Sequence, residues 1–180
     1  MRVIAGLYKG RRLCTPKGNW LRPTTDRNRE FLFSYLGNWV EEVRILDLFA
    51  GIGSLGIEAL SRGASSATFV DASYQAVQLL RKNLAWVHQP TQVFIEDAKV
   101  FLKKTALPVD IIFADPPYSF SEFADLMQII QDRHLLSGPG LLVHEAGRKN
   151  RVEHPSGFRA VKRKPLGDTL ITIYEIVYES

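Results

Sequence analysis

Cysteine is almost missing from this chain: Cys14 stands alone among 180 residues. An internal disulfide is therefore excluded, and a reducing, cytoplasmic setting is expected. Histidine is sparse too. Its four copies are scattered with no Cys/His cluster, so no metal site is predicted. No apolar run nears the roughly 20 residues that span a bilayer, and no membrane partner is expected. The opening "MRVIAGLYKGRRL" is too short and too interrupted to read as a secretory signal. Repeats and low-complexity linkers are also lacking. What remains is a chain with 46% hydrophobic residues, enough to bury one real core, so a single domain over residues 1–180 is expected.

Charge is unevenly spread. Residues 1–30 carry Arg2, Lys9, Arg11, Arg12, Lys17, Arg22, Arg27 and Arg29 against Asp26 and Glu30, a net of +6. Residues 147–165 carry seven Lys/Arg against Glu153, again +6, while residues 31–146 sum to −5. Two basic segments flank an acidic body. They are either ordinary solvated surface or, if they meet in space, a face for a polyanion.

The order of elements is legible. "RVIAGLYKGRRLCT" reads as a small hairpin around Lys9-Gly10. "PTTDRNREFLFSYLGNWV" reads as a helix in which Phe31, Leu32, Tyr35, Leu36, Trp39 and Val40 recur at helical spacing, with Asp26 or a neighbouring threonine as its cap. From Val43 strands and helices alternate through "VRILDLF", "SATFVD", "TQVFIED", "VDIIFAD" and "GLLVHEA". Near-continuous apolar strands of this kind belong to a parallel sheet covered on both faces. "FRAVKRKP" and "TLITIYEIVY" have no helix between them and should close the sheet as an antiparallel edge hairpin.

Ligands of such sheets bind at the carboxyl ends of the strands. Those ends carry Asp47, Asp71, Glu96-Asp97 and Asp115. Any one of them alone reads best as a helix cap or turn residue; four on one rim suggest a site. "GIGSLG" (Gly51, Gly53, Gly56) fits the G-x-G-x-x-G dinucleotide pattern. A pyrophosphate there would meet a ring of carboxylates. S-adenosylmethionine carries a sulfonium and an ammonium and no phosphate, so the acidic rim suits it better. Asp71 would then accept from the ribose hydroxyls, and Asp97 from the adenine amine with the Ala98 N–H donating to the ring.

"DPPY" (Asp115, Pro116, Pro117, Tyr118) follows the fourth strand. Two prolines stop a buried strand, since each lacks an N–H and fixes φ, and they stiffen the turn beyond it. An exocyclic base amine is a poor nucleophile because its lone pair is delocalised. Hydrogen bonds from it to Asp115 and to a turn carbonyl such as that of Pro116 would pyramidalise the nitrogen. Tyr118 would stack on the base.

In these residues the chain resembles the bacterial RsmD-type 16S ribosomal RNA guanine-N2 methyltransferases. The likeness runs through "RVIAGLYKGRRL", "RPTTDRNRE", "ILDLFAGIGSLGIEALSRGA", "FVD", "EDA" and "DPPY". It implies a Rossmann-like class I methyltransferase fold: an α/β domain with a mostly parallel seven-stranded sheet, an antiparallel C-terminal edge hairpin and helices on both faces. A basic N-terminal hairpin over 1–22 would extend a catalytic core over 23–180. It implies S-adenosylmethionine as cofactor and a guanine of 16S rRNA, within the small ribosomal subunit or an assembly intermediate, as substrate. A monomer is expected. Asp47, Phe49, Gly51, Gly53, Asp71, Asp97, Ala98 and Asp115 become cofactor contacts. Asp115 to Tyr118 become the base clamp. Arg2, Lys9, Arg11, Arg12, Arg22, Thr24 and Arg27 become RNA contacts, the last three beside the active site. Asn28, where an aliphatic residue is usual, and Ile52, where a small one is common, depart from the pattern. Other readings are a DNA adenine-N6 methyltransferase, a small-molecule methyltransferase, and a non-catalytic RNA-binding or assembly factor with a retained pocket. The resemblance assigns no role to segment 147–165.

Overall fold

The computed structural model describes residues 1–18, 24–106, 108–148 and 154–177. Helix α1 spans Asp26–Leu36 and runs into a short 3-10 turn, Gly37–Val40. Then β1 (Arg44–Leu48), α2 (Ser54–Ser61), β2 (Ser66–Asp71), α3 (Tyr74–Leu84), β3 (Thr91–Ile95), α4 (Ala98–Lys104), β4 (Val109–Ala114), α5 (Phe123–Asp132) and β5 (Leu136–Gly147) alternate. Strands β6 (Phe158–Leu166) and β7 (Thr169–Ile176) close the chain.

The seven strands form one sheet in the order β3-β2-β1-β4-β5-β7-β6. All neighbours from β3 to β5 pair in parallel. Strand β7 runs against both its neighbours, β5 and β6. The expected antiparallel hairpin is present, with its second strand inside the sheet and the basic β6 at the edge. Charges and Pro165 on β6 suit an edge, where they deter pairing with another chain. Two apolar layers cover the sheet. Leu32, Phe33, Leu55, Leu60 and Leu80 of α1 to α3 bury one face. Phe101, Leu102, Leu126 and Ile130 of α4 and α5 bury the other.

Three local features go beyond the sequence reading or against it. The N-terminal hairpin is present but short: Val3 N–H donates to the Arg11 carbonyl, Gly10 N–H to the Val3 carbonyl and Leu13 N–H to the Met1 carbonyl about a single antiparallel bridge, Arg2↔Arg12. It is also fastened to α2: Ile4 and Ala5 N–H donate to the Glu58 carboxylate at 2.8 and 3.1 Å, and Val3, Tyr8 and Leu13 join the core. Helix α5 stops at Asp132, because His134 takes a left-handed φ of 51° and Leu136 begins β5. In α1 the buried stripe is Asn28, Arg29, Leu32, Phe33 and Leu36, while Tyr35 and Trp39 are exposed.

Arg29 belongs by sequence to the first basic segment, yet it is fully buried. It donates to Asp26 (2.7 Å) and to the Arg2 carbonyl (2.8 Å), and meets the buried Glu58 at 3.5 Å. Loss of one partner from such a buried pair costs about 3–5 kcal/mol. The charge therefore fastens the N-terminal segment to α1 and α2.

Candidate active site

A cavity of about 610 Å³ opens at the carboxyl ends of β1, β2, β4 and β5. That volume is in the range of small-molecule and cofactor sites. Asp47, Asp71, Asp97, Asp115 and Glu145 all line it.

The loop from β1 to α2 is built for close approach. Phe49, Gly51 and Gly53 have φ of 57°, 56° and 82°, so the chain coils tightly before Ser54 opens α2. A side chain at Gly53 would place Cβ 2.3 Å from Leu80 Cδ1; one at Gly56 would place it 2.3 Å from Phe69 Cε1. Both glycines let α2 lie directly against its neighbours. Asp47 is buried and accepts from Gly56 N–H at 2.9 Å. Burial pushes its carboxyl well above the usual range; the Gly56 N–H opposes this, while Asp115 and Asp71 push it further up. These like charges therefore act on one another across the cavity, and a cation inside it would relieve them.

Asp71, at the end of β2, accepts from Gly51 N–H at 2.7 Å through Oδ2 and from Ser73 N–H at 2.8 Å through Oδ1. It ties the glycine loop to the next strand. Asp97 caps α4, accepting from Val100 N–H at 3.0 Å.

After β4, the Pro-Pro turn closes with Phe120 N–H donating to the Pro117 carbonyl at 2.8 Å. Thr24 Oγ1 donates to Asp115 Oδ2 at 2.8 Å, across 91 residues. Tyr118 is 44% exposed, with its hydroxyl 3.2 Å from Thr169 Oγ1. Its ring thus stands open at the mouth while its tip is held by β7. Phe120 meets Phe49 edge-to-face at 5.1 Å and joins this turn to the glycine loop. On β5, Glu145 is buried and accepts from Asn28 Nδ2 at 2.8 Å.

The model of the family described as "Conserved hypothetical protein 95" matches residues 1–175. The chain belongs to this family. Ribosomal RNA small subunit methyltransferase D of Escherichia coli K12 is 34% identical over 177 residues, covering 97% of this chain and 89% of that protein. YlbH of Bacillus subtilis strain 168, by its name a candidate rRNA methyltransferase, is 38% identical over 181 residues, covering 97% and 98%. Among solved structures, yhhF from Escherichia coli superposes with a TM-score of 0.89 at 33% identity over 99% of both chains. A protein of Thermus thermophilus gives 0.82 at 29% identity over 98% of this chain and 99% of that one. The RsmD-type family and the class I methyltransferase fold read from the sequence both stand.

The cavity gathers Asp47, Phe49, Gly51, Asp71, Asp97 and the whole of Asp115 to Tyr118, with Thr24 beside them. Gly53 and Ala98 are not part of its lining. Gly53 acts through its fit against Leu80, and Ala98 is the buried first residue of α4. Arg2, Lys9, Arg11 and Arg12 do not reach the cavity. They sit on the hairpin along α2 and α3, where Arg11 stacks 5.4 Å over Trp86. Arg27 is exposed on the first turn of α1. Arg22 lies outside the described residues.

Sequence reasoning missed several lining residues, among them Phe120, Thr25, Ser54, Ser73 and Glu145. Glu145 was within reach. The strand-end rule that found four carboxylates finds it at the end of "GLLVHEA" once applied to the fifth strand.

Proposed function

We propose that this protein transfers a methyl group from S-adenosylmethionine to the exocyclic N2 amine of a guanine in 16S rRNA of the small ribosomal subunit. The observation that carries the reading is the meeting, in one cavity, of the glycine loop braced by Asp71 and the rigid Asp115–Tyr118 turn. The ribosomal substrate is supported by the relatives named ribosomal RNA small subunit methyltransferase D.

The chain's residues suit the cofactor. Mutually repelling carboxylates favour a cationic ligand, and the coiled loop lets it touch backbone. Asp71 would hold the ribose hydroxyls, using lone pairs left beside its two backbone bonds. Asp97 would take the adenine amine, with Ala98 N–H toward the ring. Asp47, already bound to Gly56, sets the loop from behind. When bound, S-adenosylmethionine supplies a methyl group on a sulfonium.

The turn prepares the acceptor. Asp115, aimed by Thr24, and the Pro116 carbonyl each accept one N–H of the amine. The nitrogen lone pair is thereby turned out of the ring system and toward the methyl. Tyr118 stacks on the base, a contact worth about 1–3 kcal/mol. Because Pro-Pro fixes the turn, little reorganisation is left for the moment of transfer. The alkylated nitrogen is strongly acidic, so its proton leaves through Asp115 to water without a tuned base.

The test uses small subunits from a strain lacking the gene, incubated with purified protein and methyl-labelled S-adenosylmethionine. Label should appear in N2-methylguanosine of 16S rRNA. Label in N6-methyladenine, or only in duplex DNA, would overturn the reading.

A further inference from the structure

We infer that Glu145 selects guanine over other purines by accepting the ring N1–H that lies beside the target amine. This rests on the guanine reading above. A flipped base is read along its Watson–Crick edge. Guanine shows two adjacent donors there, N1–H and the N2 amine. Adenine shows a donor amine beside an N1 lone pair. Two acceptors side by side fit the first edge and oppose the second.

The sheet supplies that pair. In the parallel register of β4 and β5 the last matched residues are Ala114 and His144. Asp115 and Glu145 each follow one residue later, on strands about 4.8 Å apart. Side chains alternate faces along a strand. Phe113 meets Phe33 of α1, and two residues on Asp115 meets Thr24 on that side. His144 stacks on Phe123 of α5 at 3.5 Å, so Glu145 faces the α1 side with Asp115. Both carboxylates line the cavity.

The start of α1 fixes both. Thr24 donates to Asp115, and Asn28, four residues later, donates to Glu145 Oε1. A carboxylate offers about four lone-pair positions, so the Asn28 bond orients Glu145 without exhausting it. Asn28 is also where the chain departs from the sequence pattern, and here it is buried and aims a buried acid. Carrying a carboxylate into a buried position is costly, and each donor it meets there offsets part of that cost. From the cavity side, the N1–H of guanine is such a donor.

The experiment replaces the methylated guanine by 2-aminopurine in reconstituted small subunits. That base keeps the N2 amine and presents a lone pair at N1. Wild type should prefer guanine by about 100-fold or more in kcat/KM, since a site built to hydrogen-bond a donor rejects the analogue that lacks it. Glu145→Gln, whose amide can donate to that lone pair, should methylate 2-aminopurine faster than wild type does and bring the two bases within about 10-fold. Wild type that used both bases equally would overturn the proposal whether or not the variant folds. So would a Gln variant that slowed on both bases together, which is the behaviour of a purely structural strut. Absence of any N2-methylguanosine from the guanine-containing subunits would instead refute the underlying function.

Discussion

The carboxylate rim and the basic border carry opposite charges and are built in opposite ways. On the rim, Asp47, Asp71, Asp97, Asp115 and Glu145 are each held by a hydrogen bond from the protein itself. On the border, Arg159 of β6 pairs with Glu175, but two other cations of the strand stand exposed and lie loosely on rings of α1: Lys162 is 5.7 Å from Tyr35 and Lys164 5.8 Å from Phe31. The second basic segment therefore does meet the helix in which the first one ends. A fixed charge can shape a transition state, because it need not reorganise. A loose charge can follow a phosphate backbone, which needs neutralising more than aiming. Position in the charge pattern alone does not assign a role, for Arg29 sits in a basic segment yet is buried and structural.

The contrast should break most sharply at Asp115→Ala. This change removes one preorganised acceptor and leaves the turn in place, so single-turnover methyl transfer should fall about 100- to 1,000-fold. Filter binding should show RNA affinity largely kept. Next is Asp71→Ala. The residue braces Gly51 and Ser73 as well as facing the cavity, so calorimetry should show cofactor affinity weakened by about 1.5–3 kcal/mol. Unchanged affinity in a folded variant would remove Asp71 from the cofactor site.

Tyr118 tests the rim at its open edge. Tyr118→Ala should cost about 1–3 kcal/mol in base capture by loss of stacking. Tyr118→Phe keeps the ring and gives up the hydroxyl contact to Thr169, so it should stay within about 1 kcal/mol of wild type. Equal damage from both would make the hydroxyl the working group. The border is tested by Lys162→Ala with Lys164→Ala. Two lost phosphate contacts should lower the log–log salt slope of RNA binding by about 1.4–1.8, with cofactor affinity intact. An unchanged slope would reduce β6 to a charged, aggregation-resistant edge.

His144, on the sheet face away from the cavity, makes the fold sensitive to acid. Burial against Phe123 lowers its pKa to about 3, from an ordinary 6.5. The unfolded chain takes up this proton before the folded one does. Stability is thus full above pH 6.5 and is lost as pH falls toward 3, by at most about 1.4 kcal/mol per pH unit. Urea titrations of His144→Phe should show a shallower loss between about pH 6.5 and 5.

Much of this site was legible because strand ends, glycines and prolines are punctuation that a sequence prints directly. "DPPY" had to end β4, and "GIGSLG" had to turn. What stayed hidden was pairing across the chain. Nothing local links Asn28 to Glu145 or Thr24 to Asp115, since a side-chain bond spanning 117 or 91 residues depends on the sheet order. The packing of the N-terminal hairpin stayed hidden for the same reason. Its charges are plain in the sequence; that its backbone N–H groups satisfy Glu58 and its Tyr8 is core is not. Single charge substitutions at Lys9 or Arg12 therefore probe it better than truncation.

The division of labour between rim and border comes down to one paired measurement: single-turnover rate and RNA dissociation constant, taken together for Asp115→Ala and for the Lys162→Ala/Lys164→Ala pair. A crossed result is expected. The first variant loses rate and keeps binding; the second loses binding and keeps the rate at saturating RNA. Both variants failing in both quantities, or Asp115→Ala transferring at nearly the wild-type rate, would contradict that division.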